Sequence, residues 1–262
     1  DAPLQVVHGS AELPVTRLDL SDADDADLDA VARAERARGF DLARPPLMRL
    51  LLVDHGRGRH RLIWTCHHLL LDGWSNARLI SEVLRDYAGE TIAPPSRLFR
   101  DHLARLSTRD RGGDERFWRD ALAPLDAPSL ISPALSGVAG ASGHIAIDTA
   151  LGDARAARLQ AFARREKVTL NTLFEAAWAL TLGRFTGRSH VAFGITGSGR
   201  PPEDGGMHEV LGLFINTVPR CVGLPGHVPV SEWLRRIQEQ AAALRDHDLA
   251  PLADIQAWAG RG

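Results

Sequence analysis

The stretch Cys66-His67-His68-Leu69-Leu70-Leu71-Asp72-Gly73-Trp74-Ser75 joins a run of strand character to a run of helical character, and its reading decides the fold. Before it, His60 to Cys66 carries Ile63, Trp64 and Thr65, residue types that suit a pleated strand. After it, Trp74, Ala77, Ile80, Leu84 and Tyr87 recur every three or four residues, which predicts a helix from Trp74 to Tyr87. Period-two alternation, carried through the histidines, places Leu62, Trp64, Cys66 and His68 on one face and Ile63, Thr65 and His67 on the other. Only one of the two imidazoles then faces a given cavity. Asp72 stands where it caps the helix or orients a neighbour, and Gly73 leaves room for close backbone approach by a ligand. From these residues alone the pair reads as structural, as an acid or base, or as a metal site. The metal reading is the weakest, because adjacent side chains diverge and no second spaced His/Asp cluster offers a third ligand.

Working outward, Leu47 to Asp54 and His60 to Cys66 are strand-like runs around the turn His55-Gly56-Arg57-Gly58-Arg59, which predicts an antiparallel hairpin with both strands buried on two faces. Ser21 to Arg38 reads as a helix, with aspartates crowding its start and Arg33, Arg36 and Arg38 its end, as a helix dipole favours. Pro3 to Val7 reads as a strand. With Asp1 rather than Met in front, the chain is expected to begin inside a fold. Beyond Pro94-Pro95, Phe99 to Leu106 and Asp114 to Leu122 are helical. Ala123 to Gly143 holds Pro124, Pro128 and Pro133 without an apolar period, which reads as a boundary. There follow a strand His144 to Leu151, helices Asp153 to Glu166 and Asn171 to Phe185, a strand His190 to Thr196, a Gly/Pro loop, a strand Leu213 to Val222 and a helix Val230 to His247. The expected division is 1–123, a linker 124–143, and 144–262, each half an α/β or two-layer α+β subdomain.

Composition narrows the function classes. Lys+Arg 31 against Asp+Glu 33 gives the 262 residues a net charge of -2, so no global basic field gathers nucleic acid or anionic lipid. No apolar run approaches the roughly 20 residues of a membrane span and no secretory segment opens the chain, so a cytoplasmic protein is expected. Cys66 and Cys221 form no Cys-x-x-Cys pair, which leaves a disulfide framework and structural zinc without ligands. The loop Gly197-Ser198-Gly199-Arg200-Pro201-Pro202 lacks the spacing of a phosphate-binding loop.

The stretch HHLLLDGWS resembles the HHxxxDG signature of the condensation domains of nonribosomal peptide synthetases, relatives of chloramphenicol acetyltransferase. Gly39-Phe40-Asp41-Leu42 and Pro46-Leu47-Met48-Arg49 look like the family's segment before that motif. Phe99-Arg100-Asp101-His102-Leu103 and Phe117-Trp118-Arg119 resemble those after it. Gly212-Leu213-Phe214-Ile215-Asn216-Thr217 is similar to the second-half GxFxNT motif, and Pro251-Leu252-Ala253-Asp254-Ile255-Gln256 also fits. The resemblance spans nearly the whole chain but not the whole family domain, so both ends are expected to be truncated. It implies a chloramphenicol-acetyltransferase-like fold with two subdomains in a V-shaped pseudo-dimer.

The resemblance also implies a chemistry. The α-amine of an acceptor aminoacyl thioester attacks a donor aminoacyl or peptidyl thioester, both presented on phosphopantetheine arms by donor and acceptor peptidyl carrier proteins beside an adenylation domain. Nucleic acid, membrane, metal and a cofactor of the chain's own are not expected. His68, Asp72 and Gly73 are the implied catalytic set: His68 takes the amine proton or positions the amine, Asp72 keeps the loop shaped, and the Gly73 backbone lies beside the reacting groups. His67, Trp74 and Asn216 are expected in support, with Asn216 either donating to an oxyanion or bonding neighbouring backbone. Ser75 and Arg200 are expected to bind substrate, Arg200 at a pantetheine phosphate. One departure stands out: the family writes an arginine two residues after the proline of its N-T-x-P segment, whereas Pro219 is followed by Arg220 and then Cys221. Either Asp72 does not pair with Arg220 or the strand carries a bulge. The alternatives are a member that epimerises or acylates a free alcohol or amine, disfavoured by the Trp-Ser after Asp-Gly, and a non-catalytic platform for carrier proteins or tailoring enzymes, disfavoured by the intact His68.

Overall fold

Asp24 opens the first helix, α1 (Asp25–Ala37): its side chain accepts the N–H of Asp27, and the Asp27 side chain accepts the N–H of Asp24. Two backbone donors without intrahelical partners are thereby satisfied reciprocally. This helix links β1 (Val15–Asp19) to β2 (Met48–Asp54), which pair in parallel from Val15 opposite Leu50 to Asp19 opposite Asp54. β3 (His60–Cys66) returns antiparallel to β2, with Met48 opposite Cys66 and Asp54 opposite His60, giving the order β1-β2-β3. The tight return needs Gly56, where φ is +72° and a Cβ would stand 2.6 Å from the Ser21 carbonyl oxygen. Leu28 of α1 packs on Leu51 and Val53 of β2 to make the core beneath this sheet. The computed structural model describes residues 4–21, 24–132, 147–200 and 206–260.

Several expectations change here. Residues 4–7 form no strand, and Leu4 and Val7 are exposed, because β1 takes the β2 edge by parallel pairing. Pro3 lies outside the described residues. β3 is not buried on two faces, since His60, Arg61 and Leu62 are exposed. The helix α2 (Gly73–Tyr87) forms as expected, yet its apolar stripe faces out: Trp74, Ile80, Leu84 and Tyr87 are all exposed, while Ser75 is buried.

In the second half, β4 (His190–Gly197) and β5 (Asn216–Gly223) pair antiparallel in unbroken register, from His190 opposite Gly223 to Gly197 opposite Asn216. Val191 and Val222 pack against Ala176, Ala179 and Leu182 of α6 (Leu170–Thr186) and against Trp233, Leu234 and Ile237 of α7 (Val230–Leu244). Thr169 caps α6 through the N–H of Thr172, and Gly187 ends it with φ +68°. Val218 lies in a second cluster with Trp118 and Leu122 of α4 (Arg111–Leu122) and with Ile255 and Trp258 of α8 (Leu252–Trp258). The described residues also form the helices α3 (Phe99–Ser107) and α5 (Asp153–Glu166). Residues 147–151 form no strand, and the rest of the expected strand from His144 lies outside the described residues. No helix of the described residues is long and apolar enough to cross a membrane.

The chain divides into two compact units, Asp1–His102 with Arg200–Phe214, and Leu103–Gly199 with Ile215–Gly262. This differs from the expected 1–123 and 144–262. The helix α4 belongs to the second unit because Trp118 and Leu122 bury themselves beside α8. The described start of the expected linker is also part of that unit: Leu125 is buried there, and the Ser129 hydroxyl accepts the N–H of Ala192 on β4. Residues 133–143 lie outside the described ones. Conversely, Arg200–Phe214, drawn from between β4 and β5, belongs to the first unit.

Candidate functional site

β3 ends at Cys66, so the alternation invoked for the two histidines stops before it reaches them. The N–H of His67 still bonds the Leu47 carbonyl at 2.8 Å, and a turn follows in which the N–H of Leu70 bonds the His67 carbonyl at 3.0 Å. His67 Nδ1 accepts the N–H of Leu69 at 3.1 Å. Its ring meets Phe40 edge-on at 6.1 Å, and the Arg49 guanidinium lies 4.4 Å over the Phe40 ring. The turn leaves His68 exposed to solvent.

Asp72 is the N-cap of α2 and only 1% exposed. Its carboxylate accepts the N–H of Ser75 at 2.7 Å and, from the distant segment, the N–H of Phe214 at 3.0 Å. The guanidinium of Arg200 stands 3.6 Å away. Burial pushes this carboxyl up, but the two backbone donors and the charge of Arg200 together hold it below the usual aspartate value. The N–H of Asp72 itself bonds the carbonyl of Gly212 at 3.2 Å. Gly73 begins the helix exposed, with open space where a Cβ would lie.

Of the two residues expected at substrate, Ser75 is buried in this knot and Arg200 is half-buried in it. The Ser75 hydroxyl donates to the Gly212 carbonyl at 2.7 Å and accepts the Gly212 N–H at 3.1 Å and Arg200 Nη2 at 2.8 Å. Arg200 Nη1 donates to the carbonyls of Met207 and Val210, and its guanidinium lies 3.7 Å over the ring of Phe214. Trp74 adds a further tie: its exposed ring donates through Nε1 to the His208 carbonyl at 3.1 Å. Met207, Val210 and Phe214 pack with Phe99 into a small cluster that seats the segment. Gly212 fits only as glycine, for a Cβ there would be 2.3 Å from the Phe99 ring. His68, Asp72, Gly73, Trp74, Ser75 and Arg200 thus share one unit, and the motifs HHLLLDGWS and GLF interlock through backbone bonds.

Asn216 belongs to the other unit. Both of its amide donations go to backbone, to the carbonyls of Asp248 at 2.7 Å and Ala250 at 2.8 Å. Arg220 is likewise in the second unit, where it is 3% exposed and meets Glu175 of α6 at 3.3 Å. Its strand carries no bulge, so the shift after Pro219 simply puts Arg220 on the buried face. The partner of Asp72 is therefore Arg200, the residue expected at a phosphate. No local spacing signals that pairing, since 128 positions separate the two.

A family model described as "Condensation domain" matches residues 1–260. A linear gramicidin synthase of Brevibacillus parabrevis is 36% identical over 274 residues, covering 98% of this chain and 4% of that protein. The first condensation domain of the calcium-dependent antibiotic synthetase, solved with a substrate analogue, superposes with a TM-score of 0.66 at 20% identity, over 93% of this chain and 58% of that one. The X-domain from teicoplanin biosynthesis, solved in complex with OxyB, gives 0.77 at 23% identity, over 98% and 59%. The chain spans a small fraction of the gramicidin synthase and about three fifths of the solved chains. The structural likenesses establish the chloramphenicol-acetyltransferase-like fold.

Proposed function

Because the chain belongs to the condensation-domain family, we propose that it forms amide bonds in nonribosomal peptide assembly, with His68 at the centre of the reaction. The α-amine of an acceptor aminoacyl thioester attacks the carbonyl of a donor aminoacyl or peptidyl thioester. The new C–N bond forms as the C–S bond breaks, and the proton lost by the amine balances the thiolate that leaves. Both thioesters arrive on phosphopantetheine arms of carrier proteins, with an adenylation domain loading them. A thiol of pKa near ~8.5 leaves readily, so the chain's own task is to align amine and carbonyl and to receive or hold one proton.

The observation that carries this reading is an exposed His68 on a turn whose two ends are fixed by backbone bonds, beside a buried, charged Asp72. An imidazole can take the proton that the amine loses or hold the free amine by a hydrogen bond. Asp72 shapes the turn and touches no substrate, whereas the open space over Gly73 admits the reacting groups against its backbone. His67 supports the turn through its backbone and ring contacts.

Single-turnover mass spectrometry on the parent domain, with donor and acceptor loaded on their carrier proteins, tests this. Wild type is expected to transfer the donor, and a folded His68→Ala variant to lose the product. Undiminished product from that variant would remove His68 from the reaction. A second reading, recruitment of another protein without turnover, draws on the likeness to the X-domain solved with OxyB. It predicts no product from wild type across a panel of loaded carriers together with retained carrier-protein binding.

A further inference from the structure

We infer that Ser75 is a positioning residue for the reaction at His68, acting through the backbone of Gly212 and of Asp72; the inference rests on the condensation reading above. Ser75 is fully buried, so its effect is not contact with substrate. A hydroxyl has one hydrogen to donate and two lone pairs, and all three are used. Oγ donates to the Gly212 carbonyl at 2.7 Å, and it accepts the Gly212 N–H at 3.1 Å and Arg200 Nη2 at 2.8 Å. One side chain thus grips both polar groups of a single residue 137 positions away in the chain.

That grip matters because of what else Gly212 does. Its carbonyl also accepts the N–H of Asp72 at 3.2 Å. The turn bearing His68 hangs between two backbone anchors, His67 N–H on the Leu47 carbonyl and Asp72 N–H on the Gly212 carbonyl. The first is the continuation of the hairpin β2–β3 and needs no help. The second depends on how the two peptide groups flanking the Gly212 Cα are turned, and Ser75 is the side chain that holds the N–H of one and the carbonyl of the other together. Phe99 closes the other side, with its ring where a Gly212 Cβ would be. Without the hydroxyl, the Gly212 N–H loses its acceptor in a buried place, and the two peptide groups flanking Gly212 are released to rotate toward other partners.

The test compares wild type, Ser75→Ala, Ser75→Thr and Ser75→Cys in the parent domain with loaded carrier proteins, together with hydrogen–deuterium exchange. For Ser75→Ala, kcat per folded molecule is expected to fall by on the order of tenfold to a hundredfold, with KM for the acceptor-loaded carrier unchanged. Amide exchange is expected to quicken in 67–72 and 206–214 and to stay unchanged in β4 and β5. Ser75→Thr, which keeps the hydroxyl, is expected to recover most of the rate. Should Ser75→Ala not fold, Ser75→Cys, which fills the same place with a much weaker donor and acceptor, carries the same expectation. Wild-type kcat in folded Ser75→Ala, or unaltered exchange at 67–72, overturns the inference. If wild type itself does not condense, the condensation reading fails, whereas the exchange measurement still decides by itself whether Ser75 orders the turn.

Discussion

The carboxylate of Asp72 lies 3.6 Å from the guanidinium of Arg200, both side chains being buried. Arg200 is no simple counter-charge. It also bonds Ser75 and the carbonyls of Met207 and Val210, and it stacks on Phe214. Removing either member of such a pair leaves the other charge buried without compensation, which costs far more than the pair contributes. The Asp72–Arg200 pair therefore fixes how Arg200 and residues 206–214 sit against the start of α2, and through the Asp72 N–H it fixes one end of the turn that carries His68.

The first prediction concerns acid. In the folded chain the Asp72 carboxyl titrates below the value of about 3.9 that an unfolded chain gives. The stability it contributes is therefore fully present above that value and is lost as pH falls through the lower, folded-state value. Urea unfolding followed from about pH 7 down to about pH 2.5 is expected to show a steeper acid loss for wild type than for Asp72→Asn. Equal acid slopes for the two would mean that the Asp72 charge is not coupled to folding. Arg200→Met is expected to cost about 3–5 kcal/mol at neutral pH.

A second buried pair governs the other unit. Arg220 bonds Glu175 at 3.3 Å and donates to the Ile237 carbonyl, and Glu175 also accepts from Asn171 at 2.6 Å. Burial pulls the Arg220 guanidinium down, and the facing Glu175 carboxylate pushes it back up. Arg220→Met alone strands Glu175 and is expected to destabilise by about 3–5 kcal/mol. The double variant Glu175→Met with Arg220→Met is expected to recover most of that loss in urea unfolding. A single Arg220→Met within about 1 kcal/mol of wild type would show that the pair carries no such penalty.

What the sequence reveals and what it hides follow from the range of the interactions. The hairpin β2–β3, the helix α2 and the capping role of Asp72 depend on neighbours within a few residues, so periodicity and residue type expose them. The turn after Cys66 hides from alternation because a strand pattern gives no sign of where its pairing stops. The exposed stripe of α2 misleads in the opposite sense: amphipathic spacing says which residues share a face, not whether anything covers it. Ser75, Arg200 and Gly212 are each legible as motif residues, yet their mutual bonds join segments far apart in the chain. Chain order says nothing of that pairing. The seven-residue helix α8 is too short for a period to declare itself.

The last prediction turns on Asp248 in the second unit, half-buried where its carboxylate lies 2.8 Å from the place a Gly197 Cβ would take. Asn216 holds the Asp248 carbonyl, which fixes the backbone and sets the side chain over that glycine. Burial pushes the carboxyl up, the charges of Arg105 and Arg245 offset only part of that, and Asp246 adds to it. The folded chain therefore keeps the Asp248 proton to a higher pH than the unfolded chain does. Between the unfolded value of about 3.9 and the higher folded value, the folded state binds more protons, so stability falls as pH rises through that window. Above it the full penalty of a buried carboxylate persists. Asp248→Asn removes the ionisation while keeping the shape, and is expected to raise Tm at neutral pH by about 2 °C. The gain is expected to shrink toward nothing near about pH 3, where the wild-type carboxyl is protonated in both states. A gain of the same size at both pH values would assign it to packing or hydrogen bonding rather than to charge. No gain at neutral pH would mean that Arg105 and Arg245 already neutralise the carboxylate.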